Sequence, residues 1–329
     1  MAGLHAAGVT VNWEPVTGVP ATRTVLPTYA FTRQRYWPDD LSLTADVSGA
    51  GLDEAGHPLL TAITTISASG EVLLTGRLSV RTQPWLRDHQ VRGQIYFPAA
   101  GFTELAVRAG DAVGCASIAE LVLAAPLVLS PDQAHRIQVL LREDGQAWTL
   151  SISSRPDGTT IWTEHASGRL VVQPIQAPDQ DTRPPAGLEP SDPGEIYRPD
   201  ADVRYGPAFQ GLQKVWKQGE QVWGEVMLPD GQRPDGYGIH PVLLDAVLQT
   251  AMFLDWDGTG PARLPFLLGE AGLFASGAAR VRVLTTRTAP DEVSVLVTDE
   301  AQNAVLSIGR LALRPLPETA AATDDHDLA

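Results

Sequence analysis

The sequence has one cysteine, two lysines and no apolar run near the roughly 20 residues that cross a membrane. Because Cys115 has no partner for an internal disulfide, the chain fits a reducing compartment, and we expect this thiol to be a small buried hydrophobe. The N-terminus lacks a basic stretch followed by a continuous apolar one, so it does not predict a signal peptide. We therefore predict a cytoplasmic protein with no membrane partner.

Positive charge is also scarce. The chain carries 24 basic and 39 acidic residues, for a formal net charge of −15. A surface this acidic repels phosphate backbones, which argues against nucleic-acid binding. The sequence contains no G-x-S-x-G, C-x-x-C, H-E-x-x-H or P-loop pattern, and its seven histidines form no pair at metal-ligand spacing. We predict no metal site.

Composition divides the chain into two bodies. Residues 174–194 are rich in proline and acidic residues, which is typical of a linker, and residues 317–329 form a small acidic tail that we expect to be disordered. Residues 1–48 contain proline and aromatic residues without a sustained period, which indicates an extended segment. The two remaining bodies are residues 49–173 and 195–316.

Each body is predicted to be mostly strand. Short runs rich in β-branched residues, bounded by Gly, Pro, Asp or Ser, occur without long helices between them, which favours antiparallel sheet. The runs are residues 72–80, 121–129, 136–143, 148–154 and 161–172 in the first body and 221–229, 278–287, 292–300 and 304–316 in the second.

Each body also has one convincing helix, opened by Pro98 in the first and by Pro241 in the second. Apolar residues recur at helical spacing in both. They are Phe102, Leu105, Ala106 and Ala109, and then Leu244, Leu248, Ala251 and Met252. The two prolines lie 143 residues apart, which suggests a duplicated α+β unit: a long helix packed on a curved antiparallel sheet, twice.

Two polar residues stand out in these apolar surroundings. Asp245 either faces solvent on the polar side of its helix, or points with Gln249 into a pocket whose apolar walls would raise its pKa. His89 is either a satisfied structural histidine or a general base. The two lie in different bodies, so only a site at their junction could bring them together. His240, just before the second helix, is expected to be a capping or packing residue.

Three segments carry a resemblance to a known family. HQVRGQIYFP (89–98), YGPAFQG (205–211) and HPVLLDAVLQ (240–249) resemble, in order and spacing, three motifs of the dehydratase domains of bacterial modular type I polyketide synthases. HPLL from residue 57 resembles the start of such a domain. Residues 27–37 look like the segment that follows an acyltransferase domain, so the resemblance makes residues 1–48 a linker after that domain.

The resemblance implies a double hotdog fold, with two tandem units that each wrap an antiparallel sheet around a long helix. It implies dehydration of a β-hydroxyacyl thioester to the α,β-unsaturated thioester during polyketide elongation, as in antibiotic biosynthesis. The residue at His89 would remove the α-proton and the residue at Asp245 would protonate the departing hydroxyl. Substrate-positioning residues would be Gln249, Tyr205, Gly93 and Pro98, and the tunnel would be lined by Phe102, Gly206, Phe209, Leu267 and Leu268.

The same resemblance implies the partners. The substrate would arrive on the phosphopantetheine arm of an acyl carrier protein, and the domain would bind no cofactor of its own. Acyltransferase and ketoreductase domains would be neighbours, and a homodimer is possible, though we expect at most a weak dimer for the chain alone. After LPF (264–266) the family commonly has serine and tryptophan, whereas Leu267 and Leu268 stand here. Substrate choice and product geometry therefore stay open.

Three alternatives remain at this stage. The same fold could serve a dehydratase-cyclase that closes an oxygen heterocycle, or an isomerase that shifts a double bond. A non-catalytic structural module is the third, and it would be expected to lose His89, Gly93 or Asp245, all of which are present. For a catalytic domain, we expect His89 and Asp245 to face each other across one tunnel, far enough apart to admit a carbon chain.

Overall fold

The structure, a computed structural model, describes residues 2–13, 15, 47–256 and 262–316. The chain separates into two units, Met1–Leu41 and Ser42–Ala329. The first unit contributes a short helix, α1 (Ala2–Ala6). Most of the predicted segment 1–48, including the stretch 27–37, lies outside the described residues, and so does the predicted tail 317–329.

Strands make up most of the second unit. In chain order they are β1 (Asp53–His57), β2 (Leu60–Thr65), β3 (Val72–Leu78), β4 (His89–Val91), β5 (Gln94–Tyr96), β6 (Ser117–Leu123), β7 (Val128–Leu129), β8 (His135–Asp144), β9 (Ala147–Pro156), β10 (Thr163–Val171), β11 (Val203–Tyr205), β12 (Leu212–Gln218), β13 (Gln221–Met227), β14 (Arg263–Leu273), β15 (Arg280–Ala289), β16 (Glu292–Thr298) and β17 (Ala304–Pro315). Each predicted run falls on a strand, except that residues 121–129 are divided between β6 and β7. Pro126 lies in the break, where it has no N–H to donate to a ladder.

One antiparallel sheet of 13 strands spans both predicted bodies. Its order is β1-β2-β3-β8-β9-β10-β6-β14-β17-β16-β15-β13-β12. The bodies meet at β6 and β14, where Leu268 pairs with Leu121. A second sheet of four short strands, β11-β4-β5-β7, brings β11 from the second body against β4 of the first.

Two helices pack in the interior. Helix α2 (Ala99–Val113) begins directly after its N-cap Pro98 and ends at Gly114, whose φ of 71° is the left-handed conformation that favours glycine. All eight residues of α3 (Pro241–Leu248) are buried, because neighbouring elements surround it. Among the described residues, no helix combines the length and the apolar character that a membrane crossing requires.

The prediction is wrong for one residue of the two apolar faces. The four residues of the first face and Leu244, Leu248 and Ala251 of the second are buried, as predicted. Met252 is 37% exposed. The reason is that α3 tightens into a 3-10 helix over Gln249–Phe253, which changes the angular spacing of side chains and turns Met252 away from the core.

The predicted linker at 174–194 is ordered against the second body. Thr182 is buried, with its hydroxyl 2.5 Å from that of Thr298, and Ser191 N–H donates to the Val215 carbonyl at 2.8 Å. The second bond covers part of β12, which is an edge of the large sheet. The residues that composition assigned to a linker therefore form a strap on the sheet.

Candidate active site

His89 is the first residue of β4 and is buried at 7% exposure. Its Nδ1 lies 3.0 Å from the Tyr96 carbonyl oxygen on β5. Because a carbonyl only accepts hydrogen bonds, Nδ1 carries the proton and the Nε2 lone pair is left available as a base. The hydrogen-bond partner of Nδ1 thus comes from the neighbouring strand β5.

Gly93 and Pro98 shape the backbone around this histidine. The turn between β4 and β5 has positive φ at both central residues, 48° at Arg92 and 78° at Gly93, which is the type I′ geometry that favours glycine. This turn sets the register that places Tyr96 beside His89. Pro98 caps α2. Gly93 lies at the tip of the hairpin and Pro98 at the start of the helix, so both act here through the backbone.

Asp245 lies in the second turn of α3 and is only 6% exposed, so the solvent-facing interpretation of this carboxyl is wrong. Its Oδ1 is 3.8 Å from His89 Nε2, and its Oδ2 accepts a hydrogen bond from Gln249 Nε2 at 3.2 Å. Burial raises the pKa of Asp245, while the nearby His89 and the Gln249 bond act in the opposite direction. The carboxyl is therefore biased toward its protonated form.

The separation of the pair differs from the expected one. We expected space for a carbon chain between His89 and Asp245, but 3.8 Å between Nε2 and Oδ1 leaves no room for an atom between them. Two groups this close present themselves side by side to anything that approaches. The pair can therefore reach two neighbouring atoms of one substrate from the same side.

The YGPAFQG segment surrounds His89. Tyr205 pairs with His89 across β11 and β4, with ring centroids 5.8 Å apart, and the Phe209 ring lies 5.2 Å from the imidazole. The Phe209 carbonyl also accepts a hydrogen bond from Gln249 Nε2 at 3.0 Å. Tyr205 donates its hydroxyl to Met252 Sδ at 3.7 Å, which places the exposed Met252 beside the site.

Asp88 connects this segment to His89. Its carbonyl accepts from Gly206 N–H at 2.7 Å, and its carboxylate accepts from Ala208 N–H at 2.8 Å. A Cβ on Gly206 would come within 2.5 Å of Asp88 Cγ, so only glycine allows this approach. Gly206 thus has a backbone role, and its part in lining a tunnel stays a prediction. Asp88 itself was missed, although its position directly before His89 was a usable signal.

Gln249 is fixed on three sides, one of them by a residue that sequence reasoning missed. Tyr197 donates its hydroxyl to Gln249 Oε1 at 2.9 Å, and the same hydroxyl accepts from Leu212 N–H at 3.2 Å. Burial raises the pKa of Tyr197, which keeps the hydroxyl protonated as a donor. Tyr197 donates to Gln249 and Gln249 donates to Asp245, and these two hydrogen bonds in sequence orient the Asp245 carboxyl. Tyr197 stands in no recognised motif, so the sequence offered no signal for it.

A Tyr197→Phe variant tests this chain of hydrogen bonds. It leaves Leu212 N–H without its acceptor and Gln249 without one of its partners, so we expect a loss of about 1–3 kcal/mol in the free energy of unfolding. Urea denaturation measures that loss. We also expect slower turnover at saturating substrate, because Gln249 can then rotate away from Asp245; an unchanged turnover rate would show that Gln249 does not need Tyr197.

The remaining predicted residues, Phe102, Leu267 and Leu268, lie on other elements than the pair. Phe102, on α2, packs edge-on against Phe97 at 4.9 Å. Leu267 and Leu268 lie on β14, opposite Val122 and Leu121 at the seam of the two bodies. Their role in lining a tunnel stays a prediction.

His240 caps α3, as predicted. Its side chain accepts a hydrogen bond from Val242 N–H at 3.2 Å, and burial lowers its pKa to about 4, so it is neutral. Within residues 2–13, 15, 47–256 and 262–316, no three His, Cys, Asp or Glu side chains come together as a metal donor set.

Two protein-family models match the chain. Residues 57–155 match the family model described as "Polyketide synthase dehydratase domain", and residues 175–323 match the one described as "Polyketide synthase dehydratase N-terminal domain". The two matches cover most of both bodies and include His89 and Asp245.

Among curated relatives, the phenolphthiocerol synthesis polyketide synthase type I Pks15/1 of Mycobacterium marinum is 43% identical over 325 residues, which are 95% of this chain and 15% of the relative. The pikromycin polyketide synthase component PikAII of Streptomyces venezuelae is 39% identical and covers 100% of this chain, which spans 9% of that relative. The chain thus spans a small fraction of the length of these large synthases.

Three solved structures share the fold. A dehydratase studied for substrate selection in the borrelidin and fluvirucin polyketide synthases is 39% identical, with a TM-score of 0.76 over 83% of this chain and 100% of that one. The erythromycin dehydratase is 34% identical (TM-score 0.74, 82% and 100%), and so is the bifunctional dehydratase-cyclase of ambruticin biosynthesis (0.74, 80% and 100%). The predicted double hotdog is confirmed, and the chain belongs to the polyketide synthase dehydratase family.

Proposed function

We propose that His89 and Asp245 are the base and the acid with which this chain dehydrates a β-hydroxyacyl thioester. Family membership makes the chain a hydro-lyase, and the residue roles are our inference. The observation that carries them is the pair itself: two buried side chains from different bodies, with His89 Nε2 and Asp245 Oδ1 3.8 Å apart.

His89 has the properties that removal of the α-proton requires. Its Nδ1–H is fixed on the Tyr96 carbonyl, so Nε2 points its lone pair toward Asp245 and the space beside it. The Tyr96 carbonyl can go on accepting from Nδ1–H after Nε2 has taken the proton, so the ring keeps its place during the transfer. The tilted rings of Phe209 and Tyr205 pack against the imidazole.

Asp245 has the properties of the acid. Hydroxide is a poor leaving group, so a proton must be delivered as the C–O bond breaks. Burial raises the pKa of Asp245 and so favours the form that can donate this proton. Gln249 donates to Oδ2, which leaves Oδ1 as the oxygen directed at His89 and the substrate.

The short distance also bears on stereochemistry. The α-hydrogen and the β-hydroxyl sit on adjacent carbons, and a pair 3.8 Å apart can reach both only from one face of the substrate. We propose a syn elimination for this reason. The charge that develops on the thioester oxygen would be stabilised by first-turn N–H groups of α2, which begins three residues after Tyr96.

The substrate and partners follow from the family. We propose that the acyl chain is carried on the phosphopantetheine arm of an acyl carrier protein, and that the domain works beside acyltransferase and ketoreductase domains of one synthase. A homodimer within that synthase is part of the proposal. Strand β1 is an edge of the large sheet at which a second copy could pair.

A second candidate function is dehydration followed by ring closure. The observation that favours it is the similarity to the dehydratase-cyclase of ambruticin biosynthesis at 34% identity and a TM-score of 0.74. Both activities use an acid and a base, so the pair alone does not separate them. A pure double-bond isomerase is less favoured, because it has no need of an acid aimed at a hydroxyl.

Mass spectrometry of a β-hydroxyacyl carrier protein incubated with the chain tests the proposal. We expect loss of one water, and we expect the product to add a small thiol, because an α,β-unsaturated thioester accepts thiols. Water loss without thiol addition would indicate ring closure. No mass change for any of several chain lengths, against a control of heat-denatured protein, would contradict both dehydration and cyclisation.

A further inference from the structure

Resting on the proposed function, we infer that Glu104 is a positioning residue that holds both reacting side chains in register. Glu104 lies on α2 and is completely buried, outside the three motifs that define the site. The mechanism does not use it. A buried carboxylate needs several donors to be stable, so its partners indicate what it holds.

The donors to Glu104 come from two separate parts of the chain. Its Oε1 accepts from His57 Nε2 at 3.1 Å and from Gly238 N–H at 2.7 Å, and its Oε2 accepts from Ile239 N–H at 2.8 Å. His57 Nδ1 accepts from Leu59 N–H at 3.1 Å, so the proton of this imidazole is on Nε2 and faces Glu104. One carboxylate thereby links the first body to the segment that leads into α3.

The first connection runs to Asp245. Gly238 and Ile239 directly precede His240, the N-cap of α3, and Asp245 lies in the second turn of that helix. The fit is tight, because a Cβ on Gly238 would come 2.9 Å from Leu273 and 3.3 Å from Glu104 Oε2. An α-helix moves as a rigid element. By holding the residues just before α3, the Glu104 hydrogen bonds therefore fix the position of the Asp245 carboxyl relative to His89.

The second connection runs to His89 through a series of aromatic rings in tilted or edge-on contact. Tyr237 precedes Gly238, and its ring lies 5.3 Å from His57 and 4.5 Å from His240. From His240 the centroid distances are 5.8 Å to Trp85, then 6.0 Å from Trp85 to Phe209 and 5.2 Å from Phe209 to His89. Close-packed rings transmit displacement because they leave no free volume to absorb it.

Glu104 therefore anchors segment 237–240. This segment is connected to Asp245 through α3 and to His89 through the aromatic rings. Misplacement of a reacting group by about 1 Å can lower a rate by about 10²-fold. Loss of the Glu104 hydrogen bonds should consequently change turnover more than substrate binding, because this side chain is completely buried.

The test is a Glu104→Gln variant of the full chain. The amide has one accepting oxygen, so it satisfies one of the two backbone N–H groups and presents its own NH2 to the other. Thr298→Val is the matched control: it removes a buried hydrogen-bonding hydroxyl of the strap contact, away from α3. Three quantities are measured: turnover per folded molecule, KM, and the titration midpoint of the Asp245 carboxyl by carbon NMR.

For Glu104→Gln we expect turnover to fall about 10- to 100-fold, KM to stay within about twofold, and the Asp245 midpoint to move. Thr298→Val should lower Tm and change none of the three. If Glu104→Gln lowers Tm but leaves turnover and the Asp245 midpoint at wild-type values, Glu104 is a stabilising residue only and the inference is overturned.

Two further outcomes are separable. If Glu104→Gln does not fold, the same three quantities are measured for His57→Gln, which keeps a donor for Glu104. A smaller change of turnover and of the Asp245 midpoint in the same direction would support the inference. No change in either would overturn it. If the wild type removes no water, the proposed function fails, and the Asp245 midpoint still decides whether Glu104 positions that carboxyl.

Discussion

A His89→Phe variant is expected to fold as the wild type does and to dehydrate its substrate about 10²–10⁴-fold more slowly. Phenylalanine keeps a planar ring between Phe209 and Tyr205, whose centroids lie 5.2 and 5.8 Å from the imidazole. It has no lone pair to take the α-proton. Single-turnover mass spectrometry measures the rate, and circular dichroism checks the fold.

His135→Phe is the matched control. This histidine is also buried, on β8, and its Nδ1 has no hydrogen-bond partner among the described atoms. The same change there should leave dehydration within about a few-fold of wild type, as is usual away from the chemistry. Equal activity of His89→Phe and wild type would remove His89 from the mechanism.

Asp245→Asn is expected to lower dehydration by a similar factor, about 10²–10⁴-fold. Asparagine has the same shape, and its oxygen can still accept from Gln249 Nε2, which lies 3.2 Å from the carboxyl in the wild type. It cannot deliver a carboxylic proton. Asp111→Asn, which makes the same change on α2, should retain activity. A variant of Asp245 that still eliminates water at the wild-type rate would contradict the assignment of the acid.

The same variant should be more stable than the wild type at neutral pH. Burial raises the folded-state pKa of Asp245 above its ordinary 3.8. Wild-type stability is therefore lost as pH rises from the unfolded pKa through the raised folded pKa, whereas asparagine does not ionise. The Tm of Asp245→Asn should exceed that of the wild type at neutral pH, and the difference should shrink as the pH approaches 3.8.

The sequence predicted both interior helices and most of the long strands because their signals are local. Runs such as residues 136–143 and 292–300 alternate or cluster β-branched residues, and Pro98 and Pro241 mark helix starts. Strands β1, β2, β12 and β14 were missed, and in β14 the residues Pro265, Gly269 and Gly272, which are unfavourable in strands, interrupt the apolar run. Strands β4, β5 and β11 were also missed, since three residues are too few to show a period. Their pairing depends on the type I′ turn at Arg92–Gly93 and on contacts between the two bodies.

The site was predictable in its main residues and not in its geometry. His89, Asp245 and Gln249 stand in motifs, and the duplicated unit indicated that they could meet. The 3.8 Å separation depends on how β4 and α3 pack, which no local pattern encodes. Tyr197 and Glu104 act through hydrogen bonds to residues 52 and 134 positions away, and single-sequence periodicity carries no information at that range.

The central claim, that His89 takes the α-proton and Asp245 protonates the hydroxyl, is tested most directly by exchange of the substrate α-hydrogen with deuterated water. Abstraction needs the base alone, so exchange should persist in Asp245→Asn and be at least about 10²-fold slower in His89→Phe. Exchange that persists in His89→Phe and disappears in Asp245→Asn would mean that the base and the acid are the other way round.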